Sequence, residues 1–292
     1  MPIATKVEYT PGHYLEDFVS WVQRANQAAP LSAGATWMRA AEPWATRLLK
    51  APRFLLPDQG YAIPVDEVEV NTPIRLPYPD TVLEFSFAHL GVRFRSIILA
   101  SEFRDPDIGA LAIRVQEFSS GIRGTWNAYH NVCDLLCDRY PFTSDHKAAY
   151  SRQTDILTGA VLTAGQVRQE NARRGYSYYS PDSPLVVLSL IGMLQCNNVG
   201  IATIPAPVKL NAKRLAHGRL PFVEYKILML TTSKGESLGT TDSWGHRNSP
   251  RQHLRRGHIR RVSSATLTWI PQCLVGNPKK GLIVKDYQVS HA

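Results

Sequence analysis

The chain lacks the short motifs that identify many nucleotide-dependent enzymes and hydrolases. It contains no Gly-x4-Gly-Lys-Ser/Thr phosphate loop, no Gly-x-Gly-x-x-Gly fingerprint, no Gly-x-Ser-x-Gly turn and no His-Glu-x-x-His pair. Each of these motifs places backbone amides, a nucleophile or metal ligands where a particular chemistry needs them. Without them we predict no cofactor, and a binding protein becomes the main expectation, with an enzyme left open.

Cysteine is scarce, with four residues in a chain of 292. Cys133 and Cys137 lie four positions apart, whereas Cys196 and Cys273 stand alone in apolar surroundings. A disulfide scaffold needs more cysteines, and a zinc site needs two close pairs or clear Cys/His pairing. The sequence therefore predicts buried, reduced thiols and no metal site.

Carboxylates offer little more to a metal ion. Asp105 and Asp107 flank a proline in a predicted turn, and Asp134 and Asp138 are predicted to share a helix face at a spacing of four residues. Either pair could in principle hold Mg²⁺ for a nuclease. Solvent exposure is the ordinary explanation for such pairs, so neither enters the predicted site.

Long apolar runs are also missing. The longest, Pro184–Met193, has about half of the roughly twenty residues that a membrane span requires. The N-terminus has no apolar stretch of the kind that follows the charged start of a secretory signal. These observations predict a soluble, cytosolic protein without a membrane partner.

The first half of the chain mixes helical and strand periodicities. Helical spacing predicts an N-terminal hairpin of two helices, Tyr14–Ala29 and residues 32–50. Strand alternation follows at residues 83–87, 94–100 and 111–115, with Glu84 and Ser86 on a solvent-facing side. Residues 126–139 fit either a strand or a helix. The patterns predict an α+β fold with a mainly antiparallel central sheet.

The second half continues this mixture. Helices are predicted over Asp155–Arg174, Pro184–Cys196 and Val208–Gly218, the last with Leu210 and Leu215 facing inward. Strands are predicted over residues 199–204, 223–229, 259–262, 265–270 and 282–289, with residues 259–270 forming a hairpin. Residues 231–245 are predicted to be a mobile loop and residues 276–281 a turn.

The net charge of +9 is concentrated in one part of the chain. Residues 1–200 hold 18 Lys+Arg against 20 Asp+Glu, a balance of −2, whereas residues 201–261 hold 12 against 3, a balance of +9. The stretch from His246 to Arg261 alone carries six arginines and three histidines with no acidic residue. We therefore expect a mixed α+β region over residues 1–200 and a basic, β-rich C-terminal unit over residues 201–292, as two domains or one continuous domain.

This basic stretch belongs to a longer pattern: Ser249-Pro250-Arg251-x-His253-x-Arg255-Arg256-Gly257-His258-x-Arg260-Arg261, then Trp269-x-Pro271, Val275-Gly276, Lys280-Gly281 and Lys285-Asp286-Tyr287. The pattern resembles an uncharacterised family of proteins encoded by bacteriophages and prophages, over about the last hundred residues. The resemblance implies a phage or mobile-element origin and the cytosol of a bacterial host. It brings no activity or catalytic residue with it.

Nucleic-acid binding is the function that the charge distribution predicts. Clustered positive charge gains free energy by releasing counterions from phosphates, and arginine can pair with phosphate bidentately. The predicted contact residues are Lys209, Lys213, Arg214, Arg247, Arg251, Arg255, Arg256, Arg260 and Arg261. The choice between RNA and DNA stays open, as does whether Tyr176, Tyr178 and Tyr179 lie nearby and stack on bases.

Two alternatives stay open beside nucleic-acid binding. A metal-independent nuclease could use His253 and His258 as general base and acid, because histidines titrate near neutral pH. It would require Gly257 to turn the chain, since five-residue spacing within one strand puts the two side chains on opposite faces. A non-enzymatic protein could instead bind an acidic host protein, or use these basic residues to hold the C-terminal region on the rest of the chain.

Overall fold

The structure is a computed structural model that describes residues 11–28, 44–63, 69–70, 73–89, 91–106, 108–120, 126–128, 131–138, 142–143, 150–155, 161–162, 183–230, 251–255, 258–263, 266–270, 273–275 and 277–283. The chain divides into two compact units. The first comprises Met1–Met193 and Ile201–Leu228, and the second comprises Leu194–Gly200 and Met229–Ala292. Residues 201–228 therefore belong with the N-terminal part of the chain.

The labelled helices are α1 (Tyr14–Ala28), α2 (Ser183–Leu194) and α3 (Val208–Ala216). The strands are β1 (Arg53–Leu55), β2 (Glu69–Val70), β3 (Asp80–His89), β4 (Val92–Arg104), β5 (Leu111–Ser120), β6 (Trp126–Ala128), β7 (Asn131–Leu136), β8 (Phe142–Thr143), β9 (Tyr150–Asp155), β10 (Val161–Leu162), β11 (Val199–Ile204), β12 (Tyr225–Leu230), β13 (Arg251–Arg255), β14 (His258–Arg261), β15 (Leu267–Ile270), β16 (Cys273–Val275) and β17 (Asn277–Ile283).

Ten of the described strands form one sheet, in the order β10-β9-β7-β5-β4-β3-β1-β12-β11, with β6 also paired to β5. The pairs from β3 to β10 are antiparallel, whereas β1 is parallel to both β3 and β12. The predicted α+β class is confirmed, and so are the three predicted strands that became β3, β4 and β5. The sheet as a whole is mixed, because β1 pairs in parallel with β3 on one side and with β12 on the other.

One face of the central strands packs against α1. The shared apolar cluster contains Leu15, Phe18, Val19 and Val22 from the helix and Val82, Ile97, Leu99, Phe118 and Trp126 from the sheet. On the opposite face, Ser96 donates a hydrogen bond of 2.6 Å to Glu117, and Ser183 at the start of α2 donates to the same carboxylate. The predicted solvent-facing side is wrong, since Glu84 and Ser86 are both buried.

The helix predictions are confirmed in part. The bounds of α1 agree with the predicted helix Tyr14–Ala29 to within one residue, and α2 matches the predicted Pro184–Cys196, with Pro184 to Met193 buried. Residues 44–50 are helical, but residues 29–43 lie outside the described part, so the hairpin itself is not confirmed. Among the described residues, no helix has both the length and the apolar character that a membrane span needs.

One predicted helix is wrong, and the open choice between strand and helix over residues 126–139 resolves to strand, because strand pairing overrides local helical spacing. Val161–Leu162, within the predicted helix Asp155–Arg174, forms β10 on β9, and residues 163–174 lie outside the described ranges. Asp134 lies in β7, not on a helix. It stands directly opposite Arg114 of β5, whose guanidinium donates to both carboxylate oxygens at 2.9 and 3.0 Å. Opposite charges facing each other across two strands stabilise this register.

The second unit contains a hairpin and a three-stranded sheet. Antiparallel pairing of β14 with β15 confirms the predicted hairpin, with Ile259 opposite the buried Trp269. In the other sheet β13 lies between β16 and β17. Arg251–Arg255, within the basic stretch, are therefore a central strand that pairs on both sides. The turn predicted at residues 276–281 is wrong from Asn277 onward, where β17 begins.

Asn198 connects the short segment of the second unit to the hairpin. Its side-chain Nδ2 donates to the carbonyl of Trp269 and its Oδ1 accepts from the Trp269 N–H, both at 2.8 Å. Next to it, the Asn197 N–H donates to the carbonyl of Leu267 at 2.9 Å. The side chain thus pairs with both backbone groups of one residue, as a neighbouring strand would, and holds the buried tryptophan in place.

We expect Asn198→Ala to destabilise the second unit by about 1–3 kcal/mol, because it leaves the N–H and C=O of Trp269 without these partners. Urea denaturation and the hydrogen-exchange rate of the Trp269 amide measure the effect. Asn197→Ala is the matched control, since the Asn197 side chain is exposed and accepts from the Thr268 hydroxyl. Its cost should stay within about 0.5 kcal/mol. Equal costs for the two variants would contradict the assigned role.

Candidate functional site

The structure places part of the arginine-rich stretch on two strands. Arg251 and Arg255 are the first and last residues of β13, and Arg260 and Arg261 are the last two residues of β14. Arg247 and Arg256 lie outside the described residues. Both Arg260 and Arg261 are exposed to solvent, whereas the side chains on β13 lie beyond what the structure describes.

Pairing in the hairpin fixes where these two arginines point. Arg260 stands opposite Thr268 and Arg261 opposite Leu267. Because successive strand residues face opposite sides, the two guanidinium groups leave the hairpin in opposite directions. The hairpin closes just beyond them, where the N–H of Val262 donates to the carbonyl of Thr266 at 2.9 Å. The end of the hairpin therefore presents positive charge on both of its faces.

The two candidate catalytic histidines lie in different sheets. His253 is in the middle of β13, opposite Val275, and His258 begins β14, opposite Ile270. The chain changes sheet between them, at residues 256–257, so the argument from spacing within one strand does not apply. Convergence of the two imidazoles stays a prediction, because the His253 side chain lies outside the described part.

The predicted contacts on α3 divide into free and engaged side chains. Lys209 and Lys213 are exposed. Arg214 is half-buried: its Nε donates to the carbonyl of Leu220 at 2.7 Å, and its guanidinium lies 3.8 Å from the centroid of the Phe222 ring. Arg214 therefore has a structural role in fixing α3, and its guanidinium face is already occupied by an aromatic ring.

The predicted inward orientation of Leu210 and Leu215 is wrong. Their exposed fractions are 46% and 60%. The helix is attached through polar contacts instead, because Asn211 donates to the carbonyl of Phe222 and accepts from its N–H, both at 2.7 Å, and Arg214 bonds to Leu220. The aliphatic side chains are thus left in solvent.

The thiols agree with the sequence prediction where they are described. Cys133, Cys137 and Cys196 are buried, and none of the three is in a disulfide bond. Burial raises the pKa of the Cys137 and Cys196 thiols to about 11, so both stay protonated near neutral pH. Across the described ranges, no three His, Cys, Asp or Glu side chains are grouped so that they could hold a metal ion. The predicted turn at Asp105 is present, with the Gly109 N–H donating to its carbonyl at 2.8 Å.

Sequence reasoning missed a buried ionic cluster on the α1 face of the sheet, formed by Glu16, Arg53, Glu84 and Tyr225. Arg53 Nη1 donates to Glu16 Oε1 at 2.5 Å and lies 3.8 Å from Glu84 Oε1. The Glu84 Oε2 accepts from the Tyr225 hydroxyl at 2.9 Å and from the Tyr14 N–H at 3.1 Å. The cluster joins α1, β1, β3 and β12, with one positive charge for two carboxylates.

Burial in this cluster changes the protonation of Glu84. Burial, and then the nearby charge of Glu16, raise the pKa of Glu84 to about 7, against the opposing effects of Arg53 and of hydrogen bonds from Tyr225 and Tyr14. Burial and the charge of Glu84 also raise the pKa of Tyr225, so its hydroxyl remains a donor. A carboxyl group that exchanges its proton near neutral pH therefore lies inside the core.

His13 links this cluster to α3. Its ring stacks on Phe222 at a centroid distance of 3.6 Å, and its Nδ1 lies 3.4 Å from the Tyr225 hydroxyl. Burial lowers the pKa of His13 below its ordinary value, which favours the neutral ring. The residue adopts a left-handed backbone conformation with φ 51°, which is uncommon for a residue with a side chain. No sequence signal that we used identifies these contacts.

Comparison with known proteins finds no family model, no curated protein and no solved structure that matches the chain.

We expect Arg53→Ala to lower the free energy of unfolding by about 3–5 kcal/mol, because it leaves Glu16 and Glu84 buried without their cation. Chemical denaturation followed by circular dichroism measures the change. Arg93→Ala is the matched control, since the Arg93–Asp58 pair is largely exposed at 2.8 Å. Its cost should be under about 1 kcal/mol. A loss that small for Arg53→Ala would refute the role assigned to the cluster.

Glu84 should make stability depend on pH. Its folded-state pKa of about 7 exceeds the ordinary value of 4.5, so its stabilising contribution is complete at low pH and is lost as pH rises toward 7. Relative to Glu84→Gln, the free energy of unfolding of the wild type should fall by about 1.4 kcal/mol per pH unit between pH 5 and 7, then level off. Urea titrations across this range test the expectation.

The control is Glu224→Gln, which replaces an exposed glutamate. Its pH profile should match that of the wild type. Parallel profiles for wild type and Glu84→Gln would mean that the carboxyl does not titrate in this window.

Proposed function

We propose that this protein binds nucleic acid through phosphate contacts made by the arginines of its C-terminal strands. The observation that carries the proposal is the pair Arg260 and Arg261, exposed on opposite faces at the end of a hairpin anchored by the buried Trp269. They belong to a stretch with six arginines and no acidic residue. A role in the cycle of a phage or prophage, inside a bacterial host, is part of this proposal and rests on the sequence resemblance alone.

Arginine suits such a contact for physical reasons. Its planar guanidinium pairs bidentately with phosphate and remains charged at all physiological pH values. Side chains on a strand start from a fixed backbone, so they lose less conformational freedom on binding than those of a disordered tail. Opposed guanidinium groups can reach phosphates on two sides, and a two-stranded ribbon is one of the shapes that the major groove of DNA admits.

Binding of this kind depends on salt, because each neutralised phosphate releases counterions. We expect labelled single-stranded DNA, single-stranded RNA and duplex DNA to be bound with affinities that fall as salt rises. For duplex DNA, Arg260→Ala/Arg261→Ala should reduce the magnitude of the slope of log K against log[salt] by about two. Fluorescence anisotropy across a salt series measures the slopes.

Arg93→Ala/Arg104→Ala removes the same charge from exposed sites in the first unit and serves as the control. It should leave the slope nearly unchanged. Equal effects of the two double variants would indicate a response to net charge alone, and salt-independent or absent binding would overturn the proposal. Cleavage of DNA or RNA in EDTA that disappears in His253→Ala/His258→Ala would favour the nuclease instead.

A further inference from the structure

The exposed face of α3 has the composition of a protein-binding surface. The exposed fractions of Val208, Leu210 and Leu215 are 81%, 46% and 60%. Leu210 lies on the side of the helix opposite Val208, whereas Val208 and Leu215 share one face, so that face places two large aliphatic side chains in water without a partner in the described fold. This surface needs an explanation that phosphate binding does not provide.

Helical geometry divides α3 into an attached side and a free side. At 100° per residue, Val208, Ala212 and Leu215 fall within one narrow stripe, and Lys209 and Lys213 lie along one border of it. Asn211, next to Leu215, and then Arg214 lie beyond the other border of the stripe, and they make the hydrogen bonds to residues 220–222. The anchoring contacts therefore leave the apolar stripe and the lysines exposed beside the attached side of α3.

The surroundings of the stripe are positively charged. Between Val199 and Val223 the chain has two lysines and two arginines and no aspartate or glutamate. Lys209, Lys213, His217 and Arg219 are exposed. A ligand that covers this face must therefore offer apolar side chains to the stripe and negative charge to its border.

We propose that this face of α3 docks an acidic amphipathic helix of another protein. Such a helix buries the aliphatic stripe and pairs its flanking carboxylates with Lys209 and Lys213. A nucleic acid would match the lysines but leave the aliphatic side chains unburied. A second copy of α3 would bring like charges together. A membrane surface would receive a helix of only nine residues. Under this proposal Lys209 and Lys213 contact a protein partner, although the sequence predicted that they contact nucleic acid.

The attachment of α3 fits this role. The paired hydrogen bonds between Asn211 and Phe222, and the stacking of Arg214 on the same ring, fix the helix before any partner arrives. Gly218 follows the helix with φ +64°, a left-handed conformation that glycine adopts at little cost and that ends the helix. A surface that is already ordered loses less conformational entropy on binding, so a helix of this short length can form a binding site.

The test is a selection of random twenty-residue peptides displayed on yeast against the full-length chain. Yeast display keeps nucleic acid out of the ligand, so the selection is independent of phosphate binding. Peptides that also bind Val208→Ser/Leu215→Ser are removed by counter-selection. We expect the remaining peptides to be rich in Asp and Glu, with aliphatic residues three and four positions apart. No enrichment over the counter-selected pool, or enrichment of basic sequences, would overturn the proposal.

Synthetic versions of the selected peptides then locate the site by anisotropy. Binding should weaken at least tenfold with Lys209→Glu/Lys213→Glu and with Val208→Ser/Leu215→Ser. It should be unchanged with Arg260→Ala/Arg261→Ala, which separates this surface from the proposed nucleic-acid contacts. Because the replaced side chains are exposed, thermal melting of the variants should match the wild type. Peptides that bind Lys209→Glu/Lys213→Glu as tightly as the wild type would contradict the charge contacts assigned to the two lysines. Binding of the full-length chain to anionic vesicles that is lost with Val208→Ser/Leu215→Ser would assign the stripe to a membrane surface and contradict a protein partner.

Discussion

The guanidinium of Arg53 is the point on which the first unit depends. It lies on a strand of only three residues, yet that strand joins the antiparallel strands β3 to β10 to the pair β12 and β11. Its charge attracts Glu16 from α1 and Glu84 from β3, so one buried cation holds a helix and two strands in register. Because burying ions is costly, this cluster specifies which elements meet more than it adds to total stability.

The sequence predicted those elements whose signal is local. Strands β3 to β5 alternate clearly, α2 is apolar on all sides, and the hairpin of β14 and β15 has apolar cover from Trp269. It could not predict that Glu84 is buried, because the alternation that assigns it to the polar face does not reveal that α1 covers that face. Arg53 presents the same difficulty. An arginine between prolines in a turn-rich stretch gives no sign of being the centre of a core.

The basic residues illustrate the same limit at the candidate site. Composition correctly indicated that Lys209, Lys213, Arg260 and Arg261 would be exposed, because isolated charges are rarely buried. Composition grouped Arg214 with these residues, although Arg214 donates a hydrogen bond to Leu220 and its guanidinium lies over the Phe222 ring. The leucines of α3 were predicted to face inward. The helix is instead held by the hydrogen bonds between Asn211 and Phe222, and both leucines are exposed. A charge count cannot distinguish an exposed guanidinium from one that is half-buried and bonded within the fold, as that of Arg214 is.

Asn198 and Asn211 perform the same task in the two units: each side-chain amide takes both backbone groups of one aromatic residue. This arrangement makes each of the two contacts depend on a single amide NH₂ group as donor. Spontaneous hydrolysis of either amide would convert the NH₂ donor into a carboxylate oxygen facing the carbonyl of Trp269 or Phe222. The carboxylate oxygen would repel that carbonyl, although the side chain would have almost the same shape. The molecule would then lose the contacts that anchor the hairpin or α3.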